Sequence, residues 1–301
     1  MYLKAFTAAL VGIFVCAGIS HAQMTSTNYQ IRWDSISAGG SDTSNSASYL
    51  LRDTVGSSEA DRSESASYNL DSGYRQGVFD EVISFNTLIQ NTGSSRTATA
   101  YLGTTISADS TGVTIGDYVA LVENKGASQI TGIGKVVGLG VGSIVVDYLA
   151  TAGVDPVIDG SNDFVYLLNG STLSFGSLST AATRTSIAAF EVSAVNDNGY
   201  TIQIMEDGNF RLGILAINDV ADGSVTTGVE EYGARSSDSS IASSTFDTVD
   251  AAITSTFQDV VTSSGAVLGE RSFLTFKTAI TSATDSGNYG QVLTFIVSGN
   301  F

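Results

Sequence analysis

The sequence predicts an all-β protein, and three observations carry that expectation. Short runs rich in Thr, Val, Ile and Tyr, which suit a pleated and half-buried backbone, recur along the chain. Turn-forming Gly, Asn, Asp and Ser separate them: the 301 residues include 32 Gly and only 1 Pro. Near the end, apolar residues alternate at period two. Tyr289, Leu293, Phe295 and Val297 share one face with Gln291, Thr294 and Ser298 take the other, and Ile296 is out of step. The best helical candidate, 249–261, reads equally well as β. A hydrophobic share of 43% belongs to a packed chain, not a disordered one.

Residues 1–22 read as an export signal. Lys4 supplies a positive charge, 5–19 is apolar, and Ser20-His21-Ala22 offers a small-x-small cleavage site. The run is short for a membrane span, and Val15 before Cys16 does not suit a lipid-anchored cysteine. No other segment is apolar over the ~18 residues a spanning helix needs. Cleavage after Ala22 leaves 279 of the 301 residues, beginning at Gln23.

That cleavage removes the only Cys (Cys16), the only His (His21) and Lys4, and moves the formal charge from −17 to −18. A chain without thiol or imidazole cannot run Ser-His-Asp or Cys-His catalysis, hold a Cys/His zinc site or form a disulfide. Carboxylate, Lys and Tyr remain for acid–base work. The negative balance repels phosphate backbones and excludes nucleic acid as a partner.

Residues 23–78 carry a repeated unit: Ser26-Thr27-Asn28-Tyr29-Gln30-Ile31, Ser46-Ala47-Ser48-Tyr49-Leu50-Leu51 and Ser65-Ala66-Ser67-Tyr68-Asn69-Leu70. Each is a polar turn followed by a Tyr-x-(Leu/Ile) strand, the pattern of repeated β-hairpins. Two or three such strands are marginal alone and need a neighbour, within the molecule or in another copy. Tyr29, Tyr49 and Tyr68 are therefore the candidate partner-binding residues.

Residues 79–168 contain four short strands: Thr104-Thr105-Ile106-Ser107, Gly116-Asp117-Tyr118-Val119-Ala120-Leu121, Gln129-Ile130-Thr131-Gly132-Ile133-Gly134-Lys135-Val136-Val137 and Ser143-Ile144-Val145-Val146-Asp147. Over about 60 residues their order resembles small β-barrel modules of bacterial and phage surface proteins.

In 169–301 the segments Ser174-Phe175-Gly176-Ser177-Leu178, Phe190-Glu191-Val192-Ser193, Asn198-Gly199-Tyr200-Thr201-Ile202, Gly228-Val229-Glu230-Glu231-Tyr232-Gly233 and Gly287-Asn288-Tyr289-Gly290-Gln291 follow one another. This order resembles uncharacterised bacterial secreted surface proteins with an immunoglobulin-like β-sandwich. The last segment is also similar to the end strands of spore-coat-U and pilin-type domains. The resemblance implies an extracellular, surface-associated role and brings no catalytic residues with it.

Asp159, Ser161 and Asp163 sit at the i, i+2, i+4 spacing of a calcium loop, although Phe164 takes the place of its glycine and no Glu closes it. Calcium is the one cofactor the sequence leaves open. Glu230 and Glu231 are adjacent, so on a strand they point to opposite faces and cannot flank one glycosidic bond. Trp33, Tyr29, Tyr49 and Tyr68 suit either sugar stacking or hairpin packing. The expectation is a secreted, non-catalytic structural or adhesive protein of the cell surface, assembling by β-strand addition to itself or to other surface proteins. A carbohydrate-binding surface module is the alternative, and an outer-membrane β-barrel is the second.

Overall fold

The computed structural model describes residues 39–45, 50–55, 62–64, 69–71 and 83–300. The signal segment, Trp33, Tyr29, Tyr49 and Tyr68 lie outside the described residues. The chain divides into two compact units, Met1–Asp80 and Glu81–Phe301.

In the first unit, β1 (Gly39–Asn45) pairs antiparallel with β2 (Leu50–Val55), and β3 (Arg62–Glu64) with β4 (Asn69–Asp71). The later strand of each pair begins directly after a repeat tyrosine, as β2 follows Tyr49 and β4 follows Tyr68.

The second unit opens with β5 (Ile83–Ile89), β6 (Arg96–Thr97), β7 (Ala100–Leu102), β8 (Thr105–Ser107), β9 (Tyr118–Glu123), β10 (Ile130–Gly140), β11 (Ser143–Val146), β12 (Ala150–Thr151) and β13 (Phe164–Leu167). Eight of these form one curled antiparallel sheet in the order β6-β13-β9-β10-β11-β8-β7, with β12 beside β10. Its concave face buries Ile106, Val119, Leu121, Val136, Ile144 and Val165 around Ala98. The expected barrel is not closed by hydrogen bonds. Its two end strands, β6 and β7, are consecutive segments separated only by Ala98 and Thr99. The Ala98 N–H bonds to Asp163 O and the Thr99 N–H to Ser107 O, so the chain turns the corner from one edge to the other without a ladder between them. Among the described residues no sheet closes on itself, which a membrane-spanning barrel requires.

The remaining strands are β14 (Arg184–Ala194), β15 (Tyr200–Glu206), β16 (Phe210–Leu212), β17 (Leu215–Ile217), β18 (Glu231–Ser236), β19 (Gln258–Ser263), β20 (Val267–Ala279) and β21 (Leu293–Gly299). They build a two-sheet sandwich: β18-β20-β14-β5 faces β19-β15-β21, with β16 and β17 as a separate hairpin. The ambiguous 249–261 segment resolves into loop followed by β19. Phe190, Ile202, Ile204, Val261, Leu274 and Phe276 fill the space between the sheets. The alternation read near the end holds: Leu293, Phe295 and Val297 pack on this core while Thr294 and Ser298 are exposed.

The four-stranded sheet has two buried faces. Leu88, Ile187, Ala189 and Phe273 point away from the sandwich core and pack on Ala120, Val122, Ile133, Tyr166 and Leu168 of the curled sheet. This explains why β20 is buried continuously from Arg271 to Ala279 instead of alternating. It also explains why Ile83–Ile89, which the sequence groups with the middle region, belongs to the sandwich: β5 pairs with β14 over its whole length. The regions 79–168 and 169–301 thus fold as layers of one unit.

The charged side chains Arg271 and Lys277 buried on this sheet are paired. Arg271 is held by Asp147 and Glu191. Tyr118 donates to Glu191 at 2.6 Å. At the other end Lys277 Nζ lies 2.8 Å from Asp250 Oδ1. Such charges are tolerated in an interior only with partners of this kind.

Candidate functional site

The sandwich is open at one end. There the loops 171–178 and 284–292 face each other across a cleft of about 990 Å³, floored by Tyr232, Phe276 and Phe295 and flanked by Thr87 and Ile89 of β5. Neither loop is a strand. Fixed turns hold them. Ser174 Oγ accepts the Gly176 N–H at 3.2 Å, with Gly176 at φ +65°, where a side chain would strain the backbone. The Tyr289 hydroxyl donates to Asp285 O at 3.0 Å, and Arg211 exchanges backbone bonds with Gly290.

The walls are aromatic. Phe210 stacks on Tyr232 (5.5 Å between ring centres, 29°), Phe175 meets both rings edge-on, and Tyr289 tilts against Phe210 at 6.1 Å. Tyr232 in turn stacks over Phe276 at 6.5 Å. Edge-on and offset contacts of this kind fix ring positions more firmly than aliphatic packing does.

Beneath the rings lies a small polar group. Gln291 Nε2 donates to Glu206 Oε2 and to Tyr232 Oη, both at 3.2 Å. Gln291 Oε1 is buried and has no protein partner, as is Asp219 Oδ1 nearby. Burial, then the charge of Asp219, pushes the Glu206 carboxyl up to about 7. Burial also raises Asp219. Burial raises Tyr232 as well, with the charges of Glu206 and Asp219 adding to it. The site therefore prefers neutral groups. Glu206 sits behind Gln291 and does not line the cleft.

The candidate calcium residues do come together, in one turn. Asp159 Oδ1 accepts the Ser161 N–H at 2.8 Å. Asp163 is buried, and its oxygens accept the N–H groups of Asn124, Asp159 and Gly160 at 3.0, 2.9 and 3.0 Å. Burial alone raises the Asp163 carboxyl, but these amides outweigh it and hold it below the usual range. This carboxylate serves as a loop staple, with Asn162 in the left-handed region at φ +64° beside it. Among the described residues no group of three or more acidic or imidazole side chains is placed to hold a metal.

Glu230 accepts from the Thr284 hydroxyl and Glu231 from the Thr226 N–H. The aromatic cleft was not singled out from sequence. Its one visible sign is that Phe175 and Tyr289 each sit in a glycine- and serine-rich turn.

The chain matches no protein-family model, no curated protein and no solved structure.

Proposed function

We propose that the protein is a non-catalytic structural or adhesive component of the cell surface, exported by its first 22 residues, and that it assembles by strand addition to a second copy. One observation carries this reading: among the described residues, no strand pairs with the outer side of β5 or of β21, the two edges on one side of the sandwich. β5 (ISFNTLI) and β21 (LTFIVSG) contain no charge and no proline, whereas the opposite edges β18 and β19 carry Glu231, Arg235 and Asp259. Folded proteins ordinarily blunt a sheet edge with charge, proline or a bulge, because its free N–H and C=O groups invite pairing.

Along β5 the outward groups, unpaired among the described residues, follow from the ladder. Gln90 N–H bonds to Ile187 O on the β14 side, and Ile89 O accepts the Gly170 N–H on the outer side. By alternation, the N–H groups of Phe85 and Thr87 point outward. Ile83, Phe85, Phe295 and Val297 along this side are only partly buried. The donor the sequence offers is a Tyr-x-(Leu/Ile) segment of 23–78, whose tyrosines Tyr29, Tyr49 and Tyr68 supply alternate side chains.

The test is light scattering and electron microscopy of the full mature chain across a concentration series. Ordered oligomers or filaments support the reading, and a strict monomer at high concentration contradicts it.

A further inference from the structure

We propose that the cleft between loops 171–178 and 284–292 binds a neutral carbohydrate without hydrolysing it. Thr87 and Ile89 of β5 flank this cleft, so the test reads glycan binding and oligomeric state separately, and failure of one is distinguishable from failure of the other.

Three features of the cleft converge on this ligand class. The first is shape and surface. A cleft of about 990 Å³ walled by Phe175, Phe210 and Tyr289 has room for more than one sugar ring and offers faces for the apolar side of a pyranose.

The second is unmet hydrogen bonding at the floor. Gln291 spends both donors of its amide on Glu206 and Tyr232, which leaves Gln291 Oε1 buried without a donor. Tyr232 Oη accepts from Gln291, and among the described residues its own proton goes to no protein acceptor. An unmet acceptor beside an unmet donor is the complement of a sugar hydroxyl, which gives one hydrogen bond and takes another and would reach them once the Gln291 side chain turns toward the cleft.

The third is charge. No Lys or Arg lines the cleft, and its one acid, Asp285, lies at the exposed rim. Phosphate, sulfate and carboxylate therefore find no counter-charge, which leaves uncharged sugars as the fitting class. Hydrolysis would need two carboxyl groups facing the ligand across a glycosidic bond. The cleft presents only the rim carboxylate, because Glu206 is screened by Gln291.

The experiment is a binding screen of the full mature chain against neutral oligosaccharides built from glucose, mannose and N-acetylglucosamine, with sulfated and sialylated chains alongside. Titration calorimetry then follows any hit on wild type, Gln291→Met, Tyr289→Ala and Trp33→Ala. The expected result is binding of a neutral glycan that falls roughly tenfold or more in Gln291→Met. It should fall also in Tyr289→Ala, whose ring sits at the rim and whose loss leaves the floor intact, and be unchanged in Trp33→Ala. Circular dichroism checks that each variant is folded. Sedimentation checks that its oligomeric state matches wild type, which keeps the assembly reading separate. No binding to any neutral glycan, preference for anionic chains, or binding lost only in Trp33→Ala would each overturn the proposal. So would binding retained by both cleft variants.

Discussion

The guanidinium of Arg271 on β20 forks onto the carboxylate of Asp147, in the turn that follows β11, and so ties the sandwich to the curled sheet. Its Cζ lies 4.1 Å from the centre of the Tyr148 ring, and its Nε is 3.6 Å from Glu191. The arginine side chain is only 3% exposed; its terminal nitrogens are met by Asp147 and by the carbonyls of Ile133 and Tyr148, while Nε makes an ion pair but no hydrogen bond. An arginine fork can satisfy two carboxylates and an aromatic face at once, which a lysine ammonium cannot.

Replacing Arg271 with Met keeps the apolar stem but leaves Asp147 and Glu191 together without their cation. We expect a loss of about 3 kcal/mol, seen as a lower midpoint in urea denaturation. Burial alone raises the Asp147 carboxyl, but Arg271 and two backbone amides outweigh it and hold it below the usual range. A depressed carboxyl stabilises the fold above its ordinary value, and that stabilisation is lost as pH falls through the folded value. Arg271→Met should therefore also flatten the acid limb of the stability curve, whereas an unchanged midpoint and limb would mean the fork contributes nothing.

Glu206 predicts a pH effect of the opposite sign. Its carboxyl is raised to about 7, so between its ordinary value of 4.5 and about 7 the folded chain holds a proton that the unfolded chain has released. Stability from this group is full below 4.5 and is lost as pH rises through 7. Glu206→Gln should remove that dependence. Wild type minus variant stability, measured by thermal melts from pH 4 to 8, should fall with rising pH, and a flat difference would count against the raised value.

Gly199 sits at φ +73°, and a Cβ there would stand 2.0 Å from the Ser263 carbonyl oxygen. Backbone strain and backbone collision act together at this position. Gly199→Ala should cost more than about 2 kcal/mol. A thermal midpoint within a degree of wild type would show that the turn relaxes freely.

Much of this architecture is legible in the residues, and the gaps have physical causes. The Asn198-Gly199-Tyr200 turn and the alternation through Leu293, Phe295 and Val297 announce β structure, because local sterics and a one-sided core leave a period-two trace. Burial on both faces erases that trace, so 271–279 cannot reveal which layer covers its second side. Ile83–Ile89 hides its place for a different reason: its partner β14 lies about a hundred residues later in the chain. The barrel expectation fails on a detail too local to see in a pattern, the corner at Ala98 and Thr99. The aromatic cleft is illegible for another reason. Phe175, Phe210, Tyr232 and Tyr289 come from four separated segments, and only the fold gathers them.

The central claim is that the outer edge of β5 pairs with a second copy. Thr87→Pro tests it most directly, because it removes an outward N–H while leaving the bonds of Gln90 and the rest of the ladder to β14 in place. Sedimentation velocity on the full mature chain and on this variant, at matched concentration, reads the outcome. The account predicts oligomers for the wild type and a folded monomer for Thr87→Pro. Equal assembly of the two proteins, or no assembly by either, would contradict it.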